Sequence, residues 1–433
     1  MKPAQFARTL IPLLLTLLIL AACSNLADNP AANDSDLATL AATTYYVSPS
    51  GNDSNVGSEA KPFKTIAKAS TVVKTGDTVY LRQGVYKEYV DDYGPNFKYA
   101  SGTATAPITI MSYPDERAVI DGSNLTTENG GRSLLRIEGN YYVVRDLDIR
   151  KSVGRGLVVK GNHNIVRGVR SFSNRNDGIL VSGDNNTIER NESYDNYNRA
   201  NGGADVGGSA DGIELKDQSD GNLVRHNRVY YNSDDGIDIW DSTNTRVEYN
   251  ISYRNGRADG DGNGYKLGGG GSGSGSTRSP NSGTEAKYNV GYKNKETNFE
   301  TNQTNGVSFY RNTSWNALGT TDAEGVGFEF GDKINSDDFV NRNLSFQDDV
   351  PGDDTGSTST FSRGYGQNSW QLGITNPGLN TNPSSASFMS ISSSSPAANV
   401  SGSPIGAVNP GATLSSNIPS QTCGKSSYYG ACP

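Results

Sequence analysis

Hydrophobic residues are scarce in this 433-residue chain, of which they make up 34%. An ordinary globular protein has roughly 45–50%, in a count that also includes glycine. Glycine and asparagine are abundant instead, with 51 and 44 copies, and because both are poor helix formers the composition disfavours a helical bundle. The 23 tyrosines and 12 phenylalanines still provide apolar surface, which argues against disorder. A long chain with a thin core is typical of a solenoid.

A surplus of basic residues is also missing. Acidic residues outnumber basic ones by 46 to 38, for a net charge of −8, so the chain lacks the charge balance of a nucleic-acid-binding protein. An acidic protein can still bind an acidic substrate where a cation or a local group of lysines and arginines mediates. The chain has two histidines, His163 and His226, which lie far apart with no cysteine nearby, and this argues against a zinc site.

The N-terminal 22 residues have the pattern of an export signal. Lys2 and Arg8 precede an apolar run over 10–20. This run is shorter than the roughly 20 residues that span a bilayer. The run ends in Leu-Ala-Ala before Cys23 and resembles a bacterial lipobox, which implies cleavage before Cys23 and lipid attachment to it. A plain signal peptide with an incidental cysteine is the alternative. Residues 23–43 predict a flexible tether.

We therefore expect an exported protein, either a cell-surface or outer-membrane lipoprotein or a secreted one, that meets the membrane only through its lipid. The remaining cysteines, Cys423 and Cys432, lie close together in the C-terminal tail, 409–433. In an exported protein this spacing predicts a small disulfide loop.

Two sequence elements repeat from about residue 140 onward. The first has the form Asn-x-x-aromatic-x-Asn and starts at residues 191, 227, 250 and 289, with a shorter copy at 312. The second has an acidic or amide residue, then glycine, an apolar, a variable and an apolar residue. It occupies 177–181, 211–215, 235–239, 263–267 and 305–309. The first element recurs after 36, 23, 39 and 23 residues, which a base period near 23 residues with two insertions explains.

The second element predicts a short strand, because apolar residues alternate along it. Its glycine suggests a positive φ at a corner. Repeats of about 23 residues with several short strands predict a parallel β-helix over 44–408, and the leucine-rich signature of the other solenoids with that period is absent. Asparagines at matched corners are expected to form hydrogen-bonded ladders.

The N-terminal end of the solenoid is expected to carry a capping helix. Apolar residues recur at helical spacing over 62–74, and a terminal amphipathic helix closes the open end of a solenoid. The first strands are predicted at Gly76–Leu81 and Ala106–Ile110. The fold class that follows is all-β, a parallel β-helix with a short N-terminal helix.

Stacking the predicted strands aligns two columns of polar residues, because equivalent positions on successive rungs lie about 4.8 Å apart. The variable, outward position gives the column Leu180, Glu214, Asp238, Lys266, Ser308. The leading position gives Asp177, Asp211, Asp235, Asn263, Asn305. Charged side chains therefore collect at one corner of adjacent rungs.

Four carboxylates converge there: Asp211, Asp234, Asp235 and Asp238. They repel each other unless a cation neutralises them. Ca²⁺ accepts six to eight oxygen ligands in flexible geometry, whereas Mg²⁺ requires a tight octahedron, so calcium is the predicted ion. A solvated acidic patch without a specific ion is the alternative.

Lys266 stands one rung beyond Asp238 in the outward column. Gly264 and Gly268 flank it and leave the backbone open to a large ligand. A nearby Ca²⁺ would lower the pKa of this lysine while the carboxylates would raise it. An ordinary surface ion pair is the alternative role.

The segment 233–241, with Asp234, Asp235 and Asp238, followed by 262–269 with Lys266, resembles the active centre of the family 9 pectate lyases. Residues 210–213 resemble the rung before it, and residues 46–51 and 368–373 resemble the start and end of that family, so that the resemblance covers roughly 45–408. It implies a right-handed β-helix and Ca²⁺-dependent β-elimination on polygalacturonate, an acidic polysaccharide. The four aspartates would be the calcium ligands and Lys266 the base.

Three cations near the expected cleft, Arg254, Lys293 and Arg311, are candidate ligands for other substrate carboxylates, although solvated surface roles are the alternative. We expect a monomer. A polygalacturonase-type hydrolase would need an acid/base carboxylate pair and the Gly-His-Gly and Arg-Ile-Lys motifs of that family, which are absent. A lyase on another uronate, such as alginate or a glycosaminoglycan, and a non-catalytic carbohydrate-binding β-helix remain the alternatives.

Overall fold

A computed structural model of the chain describes residues 41–90, 96–123, 125, 133–198, 207–270, 283–302, 304, 306–319, 325–330, 339–352, 365–382, 384–385 and 387–407. The predicted export signal, Cys23, most of the tether, and the tail with Cys423 and Cys432 lie outside these residues. From Ala42 onward the described residues belong to one compact unit. None of the described helices is long and apolar enough to cross a membrane.

The described residues form thirty short strands, numbered β1 to β30 along the chain, in three sheets in which every strand pairing is parallel. The twelve-stranded sheet contains β1 (Thr44–Val47), β2 (Thr78–Leu81), β4 (Ile108–Ser112), β7 (Tyr142–Arg145), β10 (Ile165–Arg167), β13 (Thr187–Glu189), β16 (Leu223–Arg225), β19 (Arg246–Glu248), β22 (Glu285–Lys287), β25 (Ser308–Tyr310), β28 (Phe339–Asn341) and β30 (Tyr365–Gly366). The ten-stranded sheet contains β3 (Gly84–Tyr86), β5 (Ala118–Asp121), β8 (Leu147–Arg150), β11 (Arg170–Phe172), β14 (Glu192–Tyr194), β17 (Arg228–Tyr230), β20 (Ile251–Tyr253), β23 (Val290–Tyr292), β26 (Thr313–Trp315) and β29 (Leu344–Phe346). The eight-stranded sheet contains β6 (Ser133–Ile137), β9 (Arg155–Val159), β12 (Ile179–Val181), β15 (Ile213–Leu215), β18 (Ile237–Ile239), β21 (Tyr265–Lys266), β24 (Thr297–Glu300) and β27 (Val326–Glu329).

From β7 to β27 each turn of the chain adds one strand to the twelve-, the ten- and the eight-stranded sheet in that order. One such turn is a rung. The architecture is therefore a parallel β-helix, as the repeats predict.

The core is one side chain deep on each sheet. Inward positions of the eight-stranded sheet stack as Ile179, Ile213, Ile237 and Tyr265, all without solvent exposure. The Tyr265 ring then stacks on Phe299 at 4.7 Å between centroids. Because consecutive inward residues alternate with outward ones, this packing fixes which side chains of the sheet point away from the core.

Asparagine ladders connect the rungs, as the sequence predicts. At the corner between the twelve- and ten-stranded sheets the ladder consists of Asn191, Asn227, Asn250, Asn289, Asn312, Asn343 and Asn368. At the corner that leads to the eight-stranded sheet it consists of Asn174, Asn196, Asn232, Asn255 and Asn294. In both, each amide oxygen accepts a backbone N–H from the preceding rung, which satisfies a buried donor that would otherwise have no partner.

Asn250→Ala is expected to destabilise the fold by about 3 kcal/mol, because it leaves buried polar groups without partners. The Asn250 side chain accepts the backbone N–H of Asn227 at 2.9 Å and donates to the Val224 carbonyl at 2.9 Å. Urea unfolding measures the change. Lys160→Ala, at an exposed position without a positive φ, is the control and should change the free energy of unfolding by less than about 0.5 kcal/mol. Equal effects of both substitutions would contradict the role of the ladder.

The N-terminal helix is present but shorter than the predicted range 62–74. It spans Ile66–Ser70, where the Thr65 side chain caps its start and Glu88 accepts the N–H groups of Ile66 and Ala67, each at 2.9 Å. The helix ends at Thr71, whose N–H bonds to the carbonyl of Lys68 at 3.2 Å. Val73 lies beyond the helix but is still buried. The apolar pattern therefore extends past the end of the helix, which is why the predicted range is too long.

Candidate metal and catalytic site

The outward positions of the eight-stranded sheet form one column of mostly charged side chains, which we call the site face. In register, the column runs Leu180, Glu214, Asp238, Lys266, Glu300, Glu329. The prediction that Ser308 follows Lys266 is wrong, because Ser308 begins β25 in the twelve-stranded sheet and pairs with Glu285. The residue beside Lys266 on the next rung is therefore a carboxylic acid, Glu300.

The register error has a local cause. On the rung of Glu300 the position that glycine holds elsewhere is occupied by Asn298, which accepts a hydrogen bond from Asn294 and donates one to Ser314, at 2.8 and 2.7 Å. Strand β24 therefore lacks the glycine that identifies the second repeat element in the sequence. Gly306, which carried the wrong alignment, lies one strand later.

The repeat glycines are required for close approach and not for a positive φ, which corrects the expectation from the sequence. None of Gly212, Gly236 and Gly264 has a positive φ. A Cβ on any of them would lie 2.6 Å from the backbone oxygen of the equivalent residue on the next rung. Only a residue without a side chain fits at that separation.

Three of the four predicted calcium ligands come together. Carboxylate oxygens of Asp211, Asp235 and Asp238 lie within 4.8 Å of one another, and all three residues are buried. We call them the carboxylate cluster. Asp211 Oδ1 accepts the N–H of Asp235 at 2.9 Å, and Asp235 Oδ1 accepts the N–H of Asn263 at 2.7 Å. These bonds orient two of the carboxylates and leave their second oxygens for another partner.

Asp234, the fourth predicted ligand, stands beside the cluster and is half-buried. Its carboxylate accepts the backbone N–H of Ser209, and that of Asp261 at 3.0 Å. These loops hold its oxygens in place, and its negative charge raises the pKa of Asp211.

Burial is the largest cause of the raised pKa values in the cluster. For Asp211 the negative charges of Asp234 and Asp238 add to it, and for Asp238 the charge of Asp235 does. Burial likewise raises the pKa of Asp235 to about 7, although the Lys266 ammonium opposes the shift. The buried Asp238 Oδ1 accepts no hydrogen bond from the described residues, and the buried Asp235 Oδ2 has the Lys266 ammonium 3.3 Å away. Buried carboxylate oxygens without a full set of hydrogen bonds are available as hard ligands. They suit Ca²⁺, which accepts oxygen ligands in flexible geometry.

Lys266 connects the cluster to the next rung. Its Nζ lies 3.3 Å from Asp235 Oδ2 and 3.3 Å from Asp261 Oδ2, and its side chain is 13% exposed. Burial alone would lower the pKa of this ammonium, but the charges of Asp235 and Asp238 raise it above the ordinary value. The amine is thus partly open to solvent at the edge of a negative site.

Sequence reasoning did not single out several residues around the cluster as part of the site. Glu300 is one, and burial followed by the charge of Asp235 raises its pKa to about 8. Asp261 is another, and no repeat marks it because it lies in a loop between two rungs. On the other side of the cluster Glu214 pairs with Lys216 at 2.6 Å and has a pKa raised to about 8 by burial and by Asp177.

The three candidate substrate-binding cations are separated by the fold. Arg254 and Lys293 follow β20 and β23 and occupy neighbouring rungs at the corner that leads to the eight-stranded sheet. Arg311 instead lies between β25 and β26, at the corner between the other two sheets. There its guanidinium packs 5.2 Å from the Tyr288 ring and donates to the Gly406 carbonyl. The structure does not bring Arg311 to Lys266.

The metal-free protein is expected to lose stability as the pH rises from about 4 to about 7. The cluster carboxyls have folded pKa values above their unfolded values. The folded state therefore binds the extra protons, and its advantage is complete below the unfolded pKa and lost as the pH passes the folded one. Thermal melts in EDTA at pH 5 and pH 8 measure the effect, and Ca²⁺ should restore the loss at pH 8. A melting temperature in EDTA that rises with pH would contradict it.

The chain is similar in sequence to known proteins over much of its length. It is 29% identical over 226 residues to pectate lyase PEL9 of Emericella nidulans, covering 49% of this chain and 53% of that protein. It is 27% identical over 333 residues to pectate lyase L of Paenibacillus polymyxa, covering 71% and 69%. The match thus spans about half the length of the Emericella protein and about two thirds of the Paenibacillus protein.

Among solved structures, pectate lyase Pel9A superposes with a TM-score of 0.68 at 24% identity, over 85% of this chain and 96% of that one. This similarity supports the fold. Residues 45–320 match the family model described as the Pel9A-like right-handed β-helix region, which confirms the predicted handedness. Since that match covers well over half of the chain, the protein belongs to the Pel9A-like family of right-handed β-helices.

Proposed function

We propose that the protein is a polysaccharide lyase that cleaves polygalacturonate by Ca²⁺-dependent β-elimination. The observation that carries the proposal is the amine of Lys266, 3.3 Å from Asp235 and next to buried carboxylates on two adjacent rungs. Two relatives named as pectate lyases support the substrate class.

The residues present fit a calcium ion. Asp211, Asp235 and Asp238 would hold it, with Asp234 as a further ligand. Among the described residues, the buried Asp238 Oδ1 has no hydrogen-bond donor. Calcium bound there would act as a Lewis acid on a substrate carboxylate and offset the charge that keeps Lys266 protonated.

In the reaction that we propose, neutral Lys266 removes the C5 proton of a uronate. The electrons of the C5–H bond form the C4–C5 double bond while the C4–O bond breaks, and its electron pair leaves on the oxygen, which water protonates. One product end is a 4,5-unsaturated sugar and the other is a free hydroxyl. Because a lysine is the base, the rate should rise into the alkaline range.

The ultraviolet absorbance of the unsaturated product tests the proposal. The protein is incubated with polygalacturonate in Ca²⁺ and, separately, in EDTA, and absorbance is expected to rise only with Ca²⁺. A rise with alginate or a glycosaminoglycan alone would move the substrate to another uronate. No rise with any of these polymers would overturn the lyase proposal and favour a non-catalytic carbohydrate-binding role.

A further inference from the structure

An exposed tryptophan stands beside Lys266 on the site face. Trp240 directly follows β18 and is 39% exposed, unlike Trp315, which is buried. The Lys266 Nζ lies 5.9 Å from the centroid of the Trp240 ring. A single exposed apolar side chain is ordinary on a protein surface, but this ring lies beside Lys266, and ligand sites combine aromatic surface with a few placed polar groups.

The backbone of a glycine turn holds the indole in place. Gly269 has φ +108, and a Cβ on it would lie 2.3 Å from two carbons of the Trp240 ring. The turn is itself fixed, because the Asp241 N–H donates to the Gly269 carbonyl at 3.0 Å and the Gly269 N–H donates to Thr304 Oγ1 at 3.0 Å. One part of the ring therefore packs against the Gly269 backbone, and the rest is exposed to solvent.

A cation lies one rung before the indole. Lys216 holds the position equivalent to Trp240, because Leu215 and Ile239 are paired and the Trp240 N–H donates to the Leu215 carbonyl at 2.7 Å. Adjacent rungs are about 4.8 Å apart. The Lys216 ammonium bonds to Glu214, and because a lysine has three N–H donors it can bind a second anion.

We propose that Trp240 and Lys216 form a binding subsite for one uronate residue, next to the residue from which Lys266 takes the proton. The C–H groups on one face of the sugar would pack on the electron-rich indole. Its carboxylate would pair with Lys216. The inference rests on the proposed function, and it adds the contacts that hold the polymer across the rungs.

The test measures binding without turnover. Trigalacturonate is titrated by calorimetry, in Ca²⁺, into full-length protein carrying Lys266→Ala. The added substitutions Trp240→Ala, Lys216→Gln and Gly269→Ala, whose new Cβ would displace the indole, should each weaken binding about ten-fold or more. Tyr249→Ala is the matched control, because Tyr249 is also 39% exposed but lies between the twelve- and ten-stranded sheets, and it should leave the affinity unchanged.

Steady-state kinetics on polygalacturonate, with Lys266 present, distinguish a role of Trp240 in substrate binding from an effect on Lys266 as the base. Trp240→Ala should raise KM with little change in kcat or in the pH profile. Unchanged affinity in all three subsite variants, or a fall in kcat with a shifted pH profile and unchanged KM, would overturn the subsite. If Lys266→Ala protein binds no trigalacturonate at all, the proposed substrate fails and the subsite with it.

Discussion

Lys266→Ala is expected to lower the Ca²⁺-dependent cleavage of polygalacturonate by about a thousand-fold, because a positioned general base contributes roughly 10²- to 10⁴-fold. The Lys266 amine lies 3.3 Å from Asp235 Oδ2, and the side chain extends from a strand whose neighbours on both sides are paired in register. Its loss removes the proposed proton acceptor and leaves the three carboxylates of the cluster in place. The initial rate of ultraviolet absorbance increase is the measurement.

Removing this lysine should not weaken calcium binding. The Lys266 ammonium lies 3.3 Å from Asp235 Oδ2 and competes with a cation for that oxygen, so the calcium affinity of Lys266→Ala should equal or exceed that of the parent. Lys287→Ala, in the twelve-stranded sheet, should leave the rate unchanged. Added primary amines should restore part of the activity of Lys266→Ala. Retention of most of the activity by Lys266→Ala would show that another group is the base.

The parts of the fold that the sequence predicts are those where one residue type recurs for a single physical reason. Asn227 and Asn250 repeat because each amide satisfies a buried N–H of the neighbouring rung. Gly212 and Gly236 repeat because a side chain would collide with the next rung. Such constraints recur once per rung, so their spacing gives both the period and the alignment of Asp211 with Asp235.

Two kinds of residue could not be predicted from the sequence. In one, a different residue type occupies a repeat position; in the other, the residue lies in a loop outside the repeat. Asn298 takes the place of a glycine, so Glu300 could not be aligned with Lys266. Asp261 reaches Lys266 from a loop between two rungs, at 3.3 Å. A loop has no period, and its position depends on the length of the insertion. Trp240 was visible in the sequence, but its exposure depends on how the turn at Gly269 packs.

Asp238→Asn is expected to change stability in opposite directions with and without calcium. In EDTA the substitution removes one of three crowded negative charges from a buried site. Two like charges about 5 Å apart repel by about 3 kcal/mol at an effective dielectric constant of about 20, so the variant should unfold at a higher temperature than the parent. The gain should be larger at pH 8 than at pH 5, because protonation of the carboxyls already relieves the repulsion at low pH.

In excess Ca²⁺ the order should reverse. A ligand at 100 times its Kd stabilises the folded state by about 2.7 kcal/mol, and the loss of one carboxylate from the site should reduce calcium affinity by about a hundred-fold or more, so that the variant forfeits most of this gain. Asp146→Asn, at the corner between the twelve- and ten-stranded sheets, keeps the parent's response to calcium. Thermal melts of the three proteins in EDTA and in Ca²⁺ make the comparison. If Asp238→Asn destabilises the protein equally in both, Asp238 is a structural residue and the buried carboxylates do not form the calcium site.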